Sequence, residues 1–386
     1  MVEKSDQLGG NARTLYYTEE GASPAEYVQE IIKKVEAHPL ITVYVNATVK
    51  NYGGHLGEFK STLSVDGQTE EISYGAVIVA TGGSEYQPTE YLHGENEHVI
   101  TQKEIERRIA LEPESLKEVK NVVMIQCVGC MDEDHPYCSR ICCTAAVKNS
   151  LKLKELNPEI NVYVLYRDMR TFAFKELFYK EARERGVRFL RYLLRQKPEV
   201  SDVDGKPQVK VFDQNLRSEV IFEPDLLVLS AAVRPHPGSK QVADVFKLPT
   251  DQDGFFSEAH LKLRPVDFAN SGIFLCGLAH MPKFADEAIA QAKAAASRAC
   301  TVLSQKQMYV GGAVAQVDGT KCAICLTCVR TCPYGVPRVN EEEGVIVIDA
   351  AACQGCGNCA TACPRGAIEV GHSKDDQFIA KICALY

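Results

Sequence analysis

The chain has 386 residues, 45% hydrophobic and 24% charged, which indicates roughly two or three folded domains and excludes a disordered or collagen-like protein. A formal net charge of −8 argues against nucleic acid or an anionic membrane as the main partner. No apolar run approaches the roughly 18 residues of a membrane-spanning helix, and residues 1–6 lack the apolar core of a signal peptide. We therefore expect a cytoplasmic, reducing environment, in which the sixteen cysteines bind metal or act in catalysis more often than they form disulfides.

The first 110 residues predict alternating helices and strands. Residues 27–37 have the apolar spacing of a helix, and residues 41–45 predict a strand. Residues 76–80 are apolar throughout, which is typical of a strand buried in a parallel sheet. They run into residues 81–83, where two consecutive glycines allow a ligand to approach the backbone closely.

The next segment predicts a βαβα unit with a cysteine-rich turn. Residues 122–125 and 162–165 predict strands, and residues 139–156 and 171–185 predict helices. Between the first strand and the first helix lie five cysteines in seventeen residues: Cys127, Cys130, Cys138, Cys142 and Cys143.

Thiolates are expected to converge at this turn. Cys138 and Cys142 are four residues apart, which predicts that they share one helix face, and Cys127 approaches from the strand end. A helix N-terminus also favours thiolate anions. We interpret the turn as a further cluster site with unusual spacing. A redox-active pair such as Cys142 and Cys143, and inert packing of the thiols, are the alternatives.

Residues 272–277 predict a second buried strand that ends in glycine, and a helix rich in small residues follows at 287–303. Residues 1–110 and 240–308 therefore look like two parts of one α/β fold, separated by the βαβα unit.

The last eighty residues carry the strongest signal in the sequence. The pattern C-x2-C-x2-C-x3-C-P occurs twice and is typical of bacterial two-cluster ferredoxins, in which the fourth cysteine of each run ligates the other cluster. One predicted [4Fe-4S] site is formed by Cys322, Cys325, Cys328 and Cys363. The other is formed by Cys353, Cys356, Cys359 and Cys332. A pair of zinc sites is the alternative, and residues 344–348 predict a strand between the repeats.

The α/β segments resemble the flavin-binding fold of the thioredoxin reductase and disulfide reductase group. In that group an Ala-Thr-Gly segment ends one strand, and a late strand ending in Gly-Asp leads to a helix that faces the flavin pyrophosphate. This sequence has Gly277-Leu278 in place of Gly-Asp. At the turn where nicotinamide-dependent relatives carry glycines, this sequence has cysteines, so we do not expect NAD(P)H there.

The dinucleotide fingerprint G-x-G-x-x-G is absent from the printed sequence. Glu3 takes the position of the acidic residue that normally follows it and binds the adenosine ribose. We expect another chain to supply the first flavin strand and its phosphate loop; a fragment or an inactive flavin site is the alternative.

Several longer segments resemble the A-type subunit of heterodisulfide reductase over nearly the whole chain. They are Leu8 to Asn11, Val122 to Cys127, Pro136 to Cys143, Val164 to Thr171, Asp225 to Val233, Leu263 to Ala269, Gly272 to His280 with Pro282 and Lys283, and the double ferredoxin motif. Members of that family carry FAD and iron–sulfur clusters, and an atypical [4Fe-4S] cluster is held at the cysteine-rich turn. The ligands that the resemblance implies here are Cys127, Cys138, Cys142 and Cys143, with Cys130 as a substitute ligand or spare thiol.

The resemblance also implies a flavin site. Its contacts are expected from Glu3, Gly9, Gly10, Asn11, Ala80, Thr81, Gly82, Gly83, Gly277, Leu278, His280, Pro282 and Lys283. Lys283 is the candidate catalytic residue that tunes the flavin, with a surface lysine as the alternative; a core or surface histidine is the alternative for His280.

Together these features predict an α/β protein with a thioredoxin-reductase-like FAD-binding fold, an inserted Rossmann-like domain and a C-terminal α+β ferredoxin domain. The expected boundaries are 1–112 and 239–310 for the FAD-binding domain, 113–238 for the insertion and 311–386 for the ferredoxin domain.

The resemblance implies a flavin-based protein that carries out electron bifurcation or confurcation. Its partners would be the disulfide-reducing and iron–sulfur subunits of a heterodisulfide-reductase-like complex, a hydrogenase-type or formate-dehydrogenase-type donor, and ferredoxin. The alternatives are a non-catalytic cluster relay, or the homologous subunit of a quinone-interacting or benzoyl-CoA-reductase complex.

Overall fold

A computed structural model describes residues 1–307 and 313–385 of the chain. The predicted domain boundary at residues 310 and 311 lies outside the described residues. The strands are β1 (Ala47–His55), β2 (Glu58–Val65), β3 (Gln68–Tyr74), β4 (Val77–Val79), β5 (Gly83–Glu85), β6 (Val99–Thr101), β7 (Asn121–Val128), β8 (Asn161–Tyr166), β9 (Arg188–Arg191), β10 (Glu199–Val203), β11 (Lys206–Asp213), β12 (Ser218–Phe222), β13 (Leu226–Ala231), β14 (Val233–Pro235), β15 (Ile273–Leu275), β16 (Ala315–Val317), β17 (Arg338–Asn340), β18 (Val345–Val347) and β19 (Ile368–Val370).

The α-helices are α1 (Pro24–Glu36), α2 (Gln102–Leu111), α3 (Cys142–Leu156), α4 (Glu176–Glu184), α5 (Ser239–Phe246), α6 (Ala285–Leu303), α7 (Thr327–Thr331), α8 (Asn358–Ala362) and α9 (Asp375–Cys383). Short 3₁₀ turns occur at Gly10–Thr14, Pro113–Leu116, Ala173–Lys175 and Gly277–Ala279. In the described residues no helix is both long enough and apolar enough to cross a lipid bilayer.

The first part of the chain contains less parallel sheet than predicted. The predicted strand at residues 41–45 is wrong, because the only ladder contact described there is a single parallel bridge between Val2 and Tyr44. Strand β4 does form, and it pairs in parallel with β15. Strands β1, β2 and β3 make an antiparallel meander that the sequence patterns did not predict. Gly53 and Gly54 lie in β1, near the tight turn that joins β1 to β2.

The centre of the molecule is a five-stranded parallel sheet with strand order β6-β13-β7-β8-β9. Its strands are buried on both faces, because Val122 and Met124 of β7 pack in one hydrophobic cluster and Val123 and Ile125 pack in another. Helix α3 contributes to the first of these clusters through residues such as Val147. The βαβα unit predicted from the sequence therefore forms, and the cysteine-rich turn lies at the carboxyl end of β7.

Helix α3 begins later than predicted. It starts at Cys142, so Cys138 lies in the preceding turn and does not share a helix face with Cys142. The physical reason is at Arg140, whose φ of +59° is in the left-handed region and breaks the helical path.

The C-terminal region forms two short antiparallel pairs, β16 with β19 and β17 with β18. Helices α7 and α8 each lie within one cysteine run, and Cys328 and Cys359 pack in the same small core as Ile346 and Ile368. This arrangement brings the two sequence repeats against each other.

Phe268 gives a test of the core around β15. Its side chain is fully buried among Phe256, Ile273 and Leu275. Phe268→Ala is expected to lower the free energy of unfolding by about 3–5 kcal/mol, because it removes the buried ring and leaves a cavity. Anaerobic urea denaturation followed by circular dichroism measures the loss. Phe174→Ala, at an 85% exposed ring, is the control and is expected to change it by less than about 0.5 kcal/mol.

Candidate functional site

Two cavities in the C-terminal region are each surrounded by four cysteines. One cavity is lined by Cys322, Cys325, Cys328 and Cys363. The other is lined by Cys332, Cys353, Cys356 and Cys359. Each has a volume of about 330 Å³, including its opening to solvent. These are the two crossed sets that the sequence pattern predicted.

The cavities suit clusters with thiolate ligands. Backbone N–H groups of Ala315 and Gly355 donate to Cys353 Sγ at 3.4 Å, and the N–H of Ala367 donates to Cys363 Sγ at 3.3 Å. Such donors stabilise negative charge on sulfur. In residues 1–307 and 313–385 no three Cys, His, Asp or Glu side chains lie close enough to share one metal ion, and the sulfurs surround a volume instead. The residues present therefore fit [4Fe-4S] clusters.

The five thiols of the cysteine-rich turn lie together in the interior. Cys130, Cys142 and Cys143 are buried, and Cys127 and Cys138 are half-buried. Cys142 Sγ lies 3.8 Å from the carbonyl oxygen of Ala231, and Cys143 Sγ lies 3.6 Å from that of Asp168. The turn is thus enclosed by the ends of β7, β8 and β13 and by the start of α3.

Two buried sulfurs of this turn, those of Cys142 and Cys143, favour a bound proton or a neighbouring cation over the free thiolate. Burial raises the pKa of Cys142, and burial raises the pKa of Cys143 to about 11. The neighbouring thiols add to both effects because like charges repel. Iron would compensate this charge and displace the protons, since metal ligation by cysteine requires the thiolate. The donor set fits a cluster.

Arg140 joins this turn to helix α6. Its guanidinium forms a two-pronged ion pair with Glu287, with N···O distances of 3.0 and 2.7 Å, and stacks over the ring of Phe172. Burial opposes ionisation of Glu287, but hydrogen bonds from Arg140 and from the backbone N–H of Phe284 lower its pKa. Glu287 therefore holds the cysteine-rich turn and caps α6 at the same time.

Three of the predicted flavin segments also lie together. Asn11 Nδ2 donates to the carbonyl oxygen of Gly83 at 2.6 Å. A side chain at Gly83 would begin about 3.3 Å from Leu278 Cβ. Residues 9–11, 80–83 and 277–283 therefore form one continuous surface, although they are far apart in the chain.

The glycines of this surface leave room for a ligand. Gly10, Gly82 and Gly277 have φ values of +48°, +76° and +72°, which an L side chain rarely adopts. Apart from the glycine and its neighbours in the chain, no atom of the described residues lies within 4 Å of where their Cβ atoms would be. A flat or anionic group could approach this backbone closely, so the residues fit a flavin nucleotide.

Lys283 and His280 belong to a buried hydrogen-bond network. Lys283 Nζ donates to Gln291 Oε1 at 2.7 Å and lies 3.3 Å from His280 Nδ1. Gln291 Oε1 also accepts the backbone N–H of Gly277 at 2.9 Å. Only 7% of Lys283 is exposed, so it is not a surface lysine.

The contacts of His280 indicate its tautomer. Its Nδ1 faces two donors, Lys283 Nζ at 3.3 Å and Gln291 Nε2 at 2.9 Å, so Nδ1 accepts hydrogen bonds and carries no proton. Its Nε2 therefore carries the proton and donates to Glu258 Oε2 at 2.8 Å. Burial and the nearby Lys283 lower the pKa of His280, which keeps the ring neutral. Burial also lowers the pKa of Lys283 to about 8.

Glu258 and Gln291 complete this network, and the sequence patterns did not predict them. Gln291 lies in α6, eight residues after Lys283, which precedes that helix, so no helical spacing indicated the contact. Glu258 lies in a loop far from Lys283 in the chain, so no local pattern indicated it.

Other predicted flavin residues have hydrogen-bond partners within the chain. Glu3 Oε1 accepts the backbone N–H and the hydroxyl of Ser5, at 2.8 and 2.9 Å. The hydroxyl of Thr81 lies 3.0 Å from that of Ser239. Pro282 accepts from Arg140 through its carbonyl oxygen at 3.4 Å. The roles assigned to these residues, and to Ala80 and Gly9, stay predictions.

Known proteins are similar to this chain in its C-terminal cysteine-rich region and over most of its length. A family described as "4Fe-4S dicluster domain" matches residues 321–368. The second A-type iron-sulfur subunit of the CoB--CoM heterodisulfide reductase of Methanopyrus kandleri is 38% identical over 294 residues, which cover 72% of this chain and 44% of that protein. The A-type subunit of the H(2):CoB-CoM heterodisulfide,ferredoxin reductase of Methanothermobacter marburgensis is 38% identical over 329 residues, or 81% of this chain and 49% of that protein.

The chain is a homologue of the A-type subunit of heterodisulfide reductase. The resemblance stated from the sequence is thereby confirmed. The chain spans about half the length of the curated relatives it matches.

Solved structures confirm the predicted fold. Thioredoxin reductase of T. acidophilum superposes with a TM-score of 0.51 at 15% identity, covering 78% of this chain and 88% of that one. Thioredoxin reductase of Lactococcus lactis gives 0.51 at 17% identity, covering 79% and 90%. The C-terminal dicluster domain adds the second predicted part.

Cys363→Ala tests the crossed arrangement of the two C-terminal cavities. Because Cys363 lines the cavity of Cys322, the variant should lose about four irons and the same electron paramagnetic resonance signal that Cys322→Ala loses. Cys383→Ala, at an exposed cysteine in α9, is the matched control and should keep all iron. Loss of the same signal in Cys363→Ala and Cys356→Ala would contradict the crossing.

Lys283 predicts a pH-dependent contribution to stability. Its pKa in the folded chain is about 8, below the ordinary lysine value of 10.5, so the unfolded chain binds more protons between these values. The wild type should therefore gain stability relative to Lys283→Met as the pH rises from about 8 to 10. Melting temperatures of both proteins, measured anaerobically across this range, test the expectation, with exposed Lys293→Met as the control for removing a lysine. A difference that does not change with pH would contradict it.

Proposed function

We propose that this chain is a flavin and iron–sulfur electron-transfer component of a heterodisulfide-reductase-like complex and has oxidoreductase activity within that complex. The observation that carries the proposal is the ion pair between Arg140 and Glu287. It joins the cysteine-rich turn, which is the five-thiol turn of residues 127–143, to helix α6, and α6 also carries Gln291 of the Lys283 network. The curated relatives are named as heterodisulfide reductase subunits, and several of the names include ferredoxin.

Three clusters and one flavin fit the residues of the chain. Bound FAD converts electron pairs to single electrons, and [4Fe-4S] clusters carry single electrons. The third cluster would be held by Cys127, Cys138, Cys142 and Cys143, with Cys130 beside them. Glycine backbone at residues 10, 82 and 277 would lie against the flavin.

The chain's own residues would handle protons at the flavin. With a pKa of about 8, Lys283 can hold or release a proton at Nζ near neutral pH. His280 accepts a hydrogen bond at Nδ1 and is oriented by Glu258, so its neutral ring positions the Lys283 ammonium without taking up its proton. We propose that Lys283 tunes the flavin by holding or releasing this proton.

We further propose that a strand from elsewhere completes the flavin site. Within the described residues β4 pairs with β15 along one edge and with no strand along the other. Ile78 of β4 is 42% exposed, which is unusual for an apolar residue of a parallel strand. A strand that carries a glycine-rich phosphate loop would cover this edge.

The proposed complex distributes electrons from a hydrogenase-type or formate-dehydrogenase-type donor. Pairs would divide at the flavin, one electron going to ferredoxin and one to a disulfide-reducing partner. The buried turn and the two C-terminal cavities supply the separate cluster sites that such a division needs.

Flavin and iron contents test the proposal. The protein isolated anaerobically with its native partners should contain one FAD and about twelve irons per chain, three clusters of four. About twelve irons without flavin would mean that the chain only relays electrons between clusters. About eight irons would mean that the five-thiol turn holds free thiols and no cluster. If the chain contains as much flavin when isolated alone as when isolated with the partner that supplies the strand, the proposed role of that strand is contradicted.

A further inference from the structure

Three buried polar side chains beside the five-thiol turn have no hydrogen-bond partner among the described residues. They are Gln126, through both Nε2 and Oε1, Thr144 through Oγ1 and Ser230 through Oγ. Their exposed fractions are 0%, 2% and 1%. Each unmade bond costs about 1–3 kcal/mol in a buried setting, so three of them at one place need a physical reason.

All three are chain neighbours of the site. Gln126 precedes Cys127, and Thr144 follows Cys143. Ser230 precedes Ala231, whose carbonyl oxygen lies 3.8 Å from Cys142 Sγ.

Strand geometry places Gln126 and Ser230 on the face of the sheet that carries α3. Met124 and Val228 pack on this face, and the two strands keep a regular register up to Ile125 and Leu229. Gln126 and Ser230 are the next residues on the same face, just before the register shifts at Val128 and Ala231. Strands β7 and β13 are adjacent and parallel, so the two side chains lie near the same carboxyl edge. The start of α3, with Cys142 and Cys143, lies at that edge.

The polar side chains of Gln102, Asn149 and Ser150, farther from the thiols on the same face, all have hydrogen-bond partners. Gln102 Nε2 donates to Met124 Sδ at 3.3 Å, and Asn149 Nδ2 donates to Gln102 Oε1 at 2.8 Å. Ser150 Oγ donates to the carbonyl oxygen of Ala146 at 2.6 Å. Among the fully buried side chains of the described residues, the unpaired donors therefore lie at positions that adjoin the thiols, and the half-buried His135 of the same turn also has an unpaired Nδ1. This placement indicates that the acceptor belongs to the site.

We propose that Gln126, Ser230 and Thr144 donate hydrogen bonds to sulfur atoms of the cluster at the five-thiol turn and raise its reduction potential. This rests on the proposed function, which places that cluster there. N–H and O–H donors stabilise the reduced cluster more than the oxidised one, because reduction adds negative charge to the sulfurs. Gln126 contributes most, since its buried Nε2 carries two N–H donors and has no partner among the described residues, whereas each hydroxyl has one O–H donor.

Gln126→Leu in the full chain, isolated with its partners, tests the inference. The side chain keeps about the same volume but loses the N–H donor. An anaerobic redox titration followed by electron paramagnetic resonance should show this cluster at lower potential. The expected change is roughly tenfold in the one-electron reduction equilibrium, or about 59 mV. The two C-terminal clusters should keep their potentials and serve as internal references.

Gln102→Leu is the matched control, because it removes a buried glutamine on the same face that already has partners. It should leave the cluster potential unchanged. An equal shift in Gln102→Leu and Gln126→Leu would overturn the inference, since both would then reflect altered packing.

Iron content separates this inference from the function on which it rests. About twelve irons in Gln126→Leu with an unchanged potential overturns the hydrogen-bond role and leaves the cluster in place. About eight irons in the wild type overturns the cluster and the inference together. If Gln126→Leu alone loses four irons, the variants Ser230→Ala and Thr144→Val provide the test. A lower reduction potential of the cluster in either variant supports the hydrogen-bond role, and an unchanged potential in both overturns it.

Discussion

The two-pronged ion pair between Arg140 and Glu287 is the interaction on which the proposed electron path depends. Arg140 ends the cysteine-rich turn in a left-handed conformation, so its side chain leaves the turn just before α3 begins. Glu287 lies in the first turn of α6 and also caps that helix. One contact thus holds the thiols and the Lys283 network at a fixed separation. A planar guanidinium suits this role better than an ammonium would, because it pairs with both carboxylate oxygens.

The three thiol sites meet the same electrostatic problem in different ways. In the C-terminal region Cys325 and Cys356 are exposed while Cys328 and Cys359 are buried, and backbone N–H groups face the sulfurs of Cys353 and Cys363. At the five-thiol turn Cys130, Cys142 and Cys143 are buried between parallel strands and a helix. Since solvent exposure and hydrogen bonds to sulfur set cluster potentials, the interior site differs from the outer two. One chain therefore offers distinct environments for single electrons.

The Lys283 network shows how burial produces a functional group from common residues. Lys283 is held among Gln291, His280 and Glu258, and burial makes its neutral form accessible near pH 8. Helix α6 positions Gln291, while the loop before β15 positions Glu258. The same helix contacts Arg140 through Glu287, so the Lys283 network and the cysteine-rich turn share one structural element.

The sequence by itself determined the parts whose chemistry is local. The spacing of Cys322 to Cys363 predicts the two sets of four cysteines that surround the two cavities, because short turns carry the thiols. The apolar run at residues 76–80 predicts strand β4, but its full burial was predicted wrongly, since Ile78 is exposed. Tertiary structure decided what depends on distant residues. The start of α3 at Cys142 was predicted wrongly because the left-handed backbone at Arg140 has no simple sequence signal. The contacts of Gln126, Glu258 and Glu287 arise from segments that meet only after folding, where burial sets their hydrogen bonding and charge.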